Sequence, residues 1–205
     1  MSKTKTVVGA EQEEIGHEPK PRVRDRILGS ARELFYRHGI RAVGVDAITC
    51  EAGTNKMSFY RSFASKDELI AEYLREQERE SWAWWDEVVS AHRGDARAQV
   101  EALFEAQLKR MCVCESRGCA LANAATEITA DSPARPVVEH YKHEMRRRFR
   151  QLARDMRARK PDVLGDGLML LWEGGYLTRL VFPGREGPVQ NVVQVARTLI
   201  QAHVA

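Results

Sequence analysis

Apolar residues recur along almost the whole chain at spacings of three and four, the period of an amphipathic helix, and strand-like alternation is nearly absent. Ile27, Ala31, Leu34, Phe35 and His38 share one face of a first helix, about Val23–His38, and Gly39 supplies its stop. A second, about Val45–Ala52, buries Val45, Ile48 and Ala52 and ends at Gly53. Asn55 is placed to cap a third, Lys56–Phe63, because its side-chain oxygen can accept an orphan backbone N–H. Ser65 and Glu68 form a capping box that opens a long fourth helix to about His92.

The pattern continues in the same style. A helix from Asp95 to about Glu115 is stopped by "SRG", and a short one from Cys119 to about Thr129 follows. "DSP" (Asp131–Pro133) offers a cap and a first-turn proline to a seventh helix. Its stripe is Val138, Tyr141, Met145, Phe149, Leu152 and Met156. Pro161 and Asp162 separate it from an eighth helix, Val163–Phe182, and "PGREGP" (Pro183–Pro188) separates that from a ninth ending near Val204. The expectation is an all-α chain of about nine helices, three in a head and six in a body.

Charge changes the picture. Between Lys20 and Lys66 ten basic residues face four acidic ones, a balance of +6, whereas the whole chain carries only +3. A basic N-terminal unit on an acidic remainder is the footprint of a nucleic-acid reader, and also suits a merely solvated basic face. Residues 1–21 hold acids and prolines but no apolar run, so they read as a disordered arm and not as a targeting segment. The longest apolar stretch, Leu168–Phe182, is broken by Glu173 and Arg179 and is too short to span a bilayer. Four cysteines make no disulfide scaffold, so the reduced cytoplasm is the expected compartment.

"AGTNKMSFYRSFASKDEL" (Ala52–Leu69) concentrates the candidate chemistry. Helices two and three with the Gly53 turn have the proportions of a helix-turn-helix. Phe59 and Phe63, four apart, anchor a helix too short to stand alone. Lys56, Met57, Ser58, Tyr60 and Arg61 are then left on a face that can enter a DNA major groove. Spacing alone equally suits a short packing helix with a solvated outer face.

The stretch Ile48–Leu69, with its glycine turn, "FYRSF" core and "SKDEL" cap, resembles the DNA-binding domain of the tetracycline-repressor (TetR) family of bacterial regulators. The resemblance is strong over Arg24–Tyr73 and beyond that rests on helix number and order. It implies a helix-turn-helix domain at 22–66 and an effector-binding and dimerisation domain at 67–205. It also implies phosphate contacts from Ser58, Tyr60 and Lys66, and base contacts from Lys56, Met57 and Arg61, beside the cap Asn55. Gly44 stands where the family usually has a hydroxyl, so no side-chain phosphate contact is expected there. The function implied is a ligand-responsive transcriptional regulator, a repressor released from a pseudo-palindromic double-stranded DNA operator by a small hydrophobic or aromatic effector.

The body supplies the rest. Phe104, Leu108, Met111, Tyr141, Met145, Trp172 and Tyr176 are the candidate cavity lining, with Asn123, Thr126 and Glu127 as sparse polar anchors. The fourth helix, running from Lys66 into the body, is the expected carrier of the response, and Trp172 its reporter. Gly174 and the stripe Val189, Val192, Val193, Ala196, Leu199 and Ile200 suggest a homodimer interface. Close helix approach is the expected benefit of Gly165, Gly167, Gly174 and Gly175. "WAWWDE" puts Trp82 and Trp85 on one side of the fourth helix and Trp84 elsewhere.

Other readings are weaker. "CVCESRGC" leaves open a thiol-redox regulator using Cys112, Cys114 and Cys119, against core placement of Cys112 and Cys119. His140, His143 and Glu144 share a helix side but lack metal-site spacing among cationic neighbours, so no metal or cofactor is expected. No triad, phosphate loop or carboxylate pair points to an enzyme, and a helical ligand-binding protein without DNA binding remains the other alternative.

Overall fold

The computed structural model describes residues 21–112, 117–182 and 186–204. Outside the described residues lie the N-terminal arm up to residue 20, Cys114, the expected tail of the fifth helix after Cys112, and the start of the "PGREGP" linker. Among the described residues there are nine α-helices, one 3-10 turn and no strand. They are α1 Val23–His38, α2 Val45–Glu51, α3 Lys56–Ser62, α4 Lys66–Ser90, α5 Ala96–Met111, α6 Ala120–Glu127, α7 Arg135–Asp155, α8 Pro161–Val181 and α9 Val192–His203. The 3-10 turn, Pro188–Asn191, leads into α9. No helix among them is long and apolar enough to cross a membrane.

Local chemistry sets most of these ends. Asn55 Oδ1 accepts from the Ser58 amide at 3.0 Å, and Ser65 Oγ accepts from the Glu68 amide at 3.1 Å. Glu68 reaches back to the Ala64 amide at 2.6 Å, so orphan donors are satisfied in both directions. Gly39 ends α1 at φ 88°, the left-handed region that favours glycine.

Three boundaries differ from the expected ones. Helix α7 starts at Arg135, with Pro136 in its first turn, because Ser132 Oγ holds the Ala134 amide at 3.2 Å in a preceding turn. Pro161 and Asp162 are the first turn of α8 and not a separator, the position where proline loses no hydrogen bond. Helix α5 ends at Met111, whose carbonyl accepts from the buried Arg179 Nε at 2.7 Å.

One hydrophobic core runs through the chain. Ile27, Ala31, Phe35, Ile48, Phe59 and Phe63 fill its head end. The first turns of α4 belong to that end too, since Leu69, Ile70 and Leu74 are buried and the Tyr73 ring packs tilted against Phe35 at 5.5 Å. Further along α4, Trp85 packs edge-on to Phe149 of α7 at 4.9 Å. Helix α4 thus joins head and body as one continuous rod.

Helices α7 and α8 form the closest seam. A Cβ on Gly165 would stand 2.6 Å from Arg150 Cα and 2.7 Å from its nitrogen, so only glycine lets the two backbones meet. Arg146 and Arg150 clamp Asp166, and Arg150 and Arg154 clamp Asp162. The side-chain hydrogen bonds of Arg146 and Arg150 hold the Asp166 carboxyl well below the usual carboxylate range.

Candidate nucleic-acid interface and effector cleft

Helix α3 is held from one side only. Phe59 and Phe63 are fully enclosed, each such burial stabilising by about 1.5–3 kcal/mol. Arg24 lies over the Phe63 ring at 4.7 Å, and Arg26 Nε donates to the Ala52 carbonyl at 3.2 Å, tying α1 to the turn between α2 and α3. Arg26 carries no motif signal, and its role shows only once α1 crosses that turn.

The opposite side of α3 faces solvent. Met57 is 74 % exposed and Tyr60 56 %, with Asn55, Lys56 and Arg61 also exposed and Ser58 half-buried. Two of the expected DNA contacts are engaged inside the molecule. Lys56 Nζ pairs with Asp46 of α2 at 2.8 Å, which raises the pKa of Lys56. Lys66 Nζ donates to the Ile40 carbonyl at 2.7 Å, buckling the start of α4 to the α1–α2 loop; partial desolvation lowers its pKa. An ammonium has three donors, so Lys66 keeps two for another acceptor. Gly44 caps α2 with open space around its Cβ position.

A cleft of about 930 Å³ opens between head and body. Its wall takes Arg32 and Tyr36 from α1, Tyr73, Trp82, Trp84 and Trp85 from α4, Tyr141 from α7, and Trp172 and Tyr176 from α8. The aromatic rings are in contact: Trp172 lies 5.7 Å from Trp85, 6.0 Å from Trp84 and 6.0 Å from Tyr176. Burial pushes the Tyr73, Tyr141 and Tyr176 hydroxyls above the ordinary phenol range, so at neutral pH they are un-ionised. Arg32 grips Glu80 with both guanidinium arms across the mouth.

Of the expected lining, Tyr141, Trp172 and Tyr176 reach the cleft. Phe104, Met111 and Met145 do not: they are fully buried core, and Leu108 packs partly buried against that core. Asn123 and Glu127 border a separate void of about 10 Å³, room for roughly one water. Asn123 Nδ2 donates to the Arg117 carbonyl, Thr126 is exposed, and Glu127 Oε2 accepts from the Arg41 amide at 3.0 Å. Of these, Glu127 braces α6 against the α1–α2 loop, its carbonyl also accepting from Arg41 Nε at 2.6 Å. All three tryptophans of "WAWWDE" border the cleft, Trp84 included, because the cleft wraps round α4.

The cysteines divide. Cys112 caps α5 and is exposed, not core; Cys119 lies on the cleft wall at the head of α6, where burial raises its thiol pKa. A raised thiol pKa opposes thiolate reactivity at neutral pH. Cys114 lies outside the described residues. His140 pairs with Glu78 at 2.7 Å and Glu144 with Arg147 and Arg148, an ion-paired surface.

The expected dimer stripe turns inward. Val189, Val192, Ala196 and Ile200 are buried and Val193 and Leu199 partly so, all packed within the chain's own fold. Val193 and Leu199 keep part of their surface open. Gly165 and Gly175 also serve internal packing, Gly175 against Gln107 and Met111. A further outward stripe is on α8: Leu170, Leu177 and Val181 are 73 %, 68 % and 69 % exposed, with Gly174 between them and Gly167 one turn before Leu170, both unobstructed.

Comparison with known proteins follows this geometry. The family model for bacterial regulatory proteins of the tetR family matches residues 27–73. A tetR-type transcriptional regulator of Streptomyces avermitilis (sav143) is 29 % identical, with a TM-score of 0.80 over 89 % of this chain and 98 % of that one. SCO4454, a TetR-family transcriptional regulator from Streptomyces coelicolor, is 26 % identical, with a TM-score of 0.72 over 88 % and 93 %. The TetR-family regulator CifR, solved as a cysteine mutant with 26-bp operator DNA, shares the fold at 22 % identity, with a TM-score of 0.73 over 91 % and 99 %. No curated protein matches in sequence.

Proposed function

Since the chain belongs to the tetR family of bacterial regulatory proteins, we propose that it binds operator DNA as a two-fold dimer and represses transcription until an effector enters the cleft. One observation carries the DNA-binding part: α3 is anchored through Phe59 and Phe63, and its other face, with Met57, Tyr60 and Arg61, is exposed. Such a helix fits a major groove. Residues 22–66 are the reading head and 67–205 the effector and dimerisation body, with α4 shared between them.

The outer stripe of α8, from Leu170 to Val181, supports pairing with a second copy, because an exposed apolar row of this length is unusual on a free monomer. Two copies would set the α3 helices in successive major grooves of a pseudo-palindrome. The effector role of the cleft is supported by its aromatic wall and by its span from α1 to α8, which puts head and body in contact with one ligand.

Footprinting on the DNA beside the protein's own gene tests the proposal. The expected result is a protected inverted repeat, lost with Tyr60→Phe combined with Arg61→Ala. A footprint without an inverted repeat, or binding by a demonstrated monomer, overturns it.

A further inference from the structure

The cleft wall is aromatic along its length and carries four arginines and two glutamates, and those charges are unequal. Arg32 is neutralised by the two-armed contact to Glu80, and Arg37 stands 3.7 Å from Glu33. Among the described residues no carboxylate faces Arg110 or Arg117. Arg110 lies over the Trp84 ring at 4.5 Å, and Arg117 Nη1 spends its contacts on the carbonyls of Tyr36 and Arg37. Both arginines flank Tyr176: the charge of Arg110 acts on its hydroxyl, and a Cβ at Gly118, next to Arg117, would stand 3.7 Å from Tyr176 Cβ.

A second observation lies deeper. Trp172 is 2 % exposed, lines the cleft, and its Nε1–H has no acceptor among the described residues. A buried donor without an acceptor is costly, and rare in folded proteins. Trp84 stands between this orphan donor and Arg110, its ring 6.0 Å from Trp172 and 4.5 Å from the guanidinium. A cation and an unused N–H flanking a cluster of tilted indoles call for flat apolar surface that ends in acceptor oxygens bearing negative charge. A small inorganic anion would leave the indoles unused; a neutral arene would leave the arginines unanswered.

We infer, resting on the cleft being the effector site, that the effector is a planar aromatic acid, its rings against the wall of Trp84, Trp85 and Trp172, its carboxylate toward Arg110 and Arg117, with Trp172 turning its enclosed Nε1–H to one of its oxygens. Charge-assisted hydrogen bonds from arginine to a carboxylate are among the strong ones available to a small ligand.

The test is calorimetric titration of the full chain with 2-naphthoate, its neutral partner 2-naphthamide and the cationic 2-naphthylmethylamine. The expected order is naphthoate at least tenfold tighter than naphthamide, with the amine weakest. Arg110→Gln, a change at an exposed position, is expected to abolish the preference for naphthoate over naphthamide. Trp172→Phe is expected to weaken naphthoate and naphthamide alike, since both carry an acceptor oxygen. Equal affinity for all three probes, or a preference that survives Arg110→Gln combined with Arg117→Gln, overturns the anionic head and leaves the effector cleft standing. Unchanged affinities in Trp172→Phe overturn the indole contact. Failure of all three probes to bind overturns both the acid and the cleft. If naphthoate binds as expected yet operator binding is unaffected, the acid site stands and the effector role of the cleft fails.

Discussion

Tyr36, in the last turn of α1, and Arg117, just ahead of α6, are joined through both main chain and side chain. The Arg117 amide donates to the Tyr36 hydroxyl at 2.9 Å, and Arg117 Nη1 donates to the Tyr36 carbonyl at 3.2 Å and the Arg37 carbonyl at 2.6 Å. The last carbonyls of a helix lack intrahelical partners, and a cation there also suits the helix dipole. Tyr36 is at once part of the head and part of the cleft wall.

Tyr36→Phe keeps the ring and deletes the hydroxyl, at a cost of about 1 kcal/mol in stability. The free protein should bind its ligand with unchanged affinity, while the ligand's power to weaken DNA binding shrinks. Anisotropy titrations of labelled operator with and without ligand measure that coupling, and an unchanged ligand effect would refute the role given to this contact.

Asp46→Asn frees Lys56 and removes a negative charge beside the reading helix. The exposed pair contributes little to stability, because solvent screens it. Affinity for operator and random DNA should rise together, and the salt slope should steepen by about one counterion. Identical slopes for variant and parent would show that Lys56 stays clear of phosphate.

Gly44→Ser meets open space at the N-cap of α2. A serine there should stabilise by a few tenths of a kcal/mol through the cap and add a hydroxyl near the DNA face. Tighter binding to random as well as operator DNA is the expected readout, and a weakened complex would place Gly44 away from phosphate.

The caps at Asn55 and Ser65–Glu68 were readable because each is settled within four residues, and the inward pair Phe59–Phe63 because one helical turn decides it. The family motif lies in the same local stretch. What could not be read was distant. Lys56 meets Asp46 and Lys66 meets the Ile40 carbonyl only after separate elements have packed, and Tyr36 meets Arg117 across 81 residues. Periodicity showed that α9 has an apolar face but not what covers it; Val192, Ala196 and Ile200 are covered by the chain itself. The cleft wall was missed at α1 for the same reason, since Arg32 and Tyr36 look like ordinary head residues until α1 lies beside the body.

Gly165→Ala should be severely destabilising, about 3 kcal/mol or more, because the new methyl meets Arg150 backbone at 2.6 Å and not a yielding side-chain tip. Gly174→Ala meets nothing within the chain and should gain up to about 1 kcal/mol as a monomer from helix propensity. If α8 pairs with its copy through that stripe, the same alanine should raise the dimer dissociation constant. Thermal melts and sedimentation read the two effects separately, and an unaltered dimer would move the interface off Gly174.

Acid should expose the arginine clamps. Hydrogen bonds from Arg147 and then Arg148 hold the Glu144 carboxyl down at about 2, and Arg146 and Arg150 hold Asp166 lower still. Both folded values lie below the unfolded ones, so the stabilisation is present above about pH 4.5 and is lost as pH falls toward 2. Glu144→Gln should therefore lower the urea midpoint at pH 6 and narrow its gap to the parent at pH 3. A pH-independent gap would mean that the pair adds packing alone.

The seam at Gly165 also decides where motion is permitted. Two backbones in that proximity, stitched by Arg146, Arg150 and Arg154 onto Asp162 and Asp166, cannot slide past one another without collision. Helices α7 and α8 are therefore a chassis. The joint of α1 with α6 is built differently, from hydrogen bonds at Tyr36, Arg41 and Glu127 with a water-sized void beside them. A ligand in the cleft would therefore meet a close-packed floor at α7 and α8 and a hydrogen-bonded roof at α1 and α6.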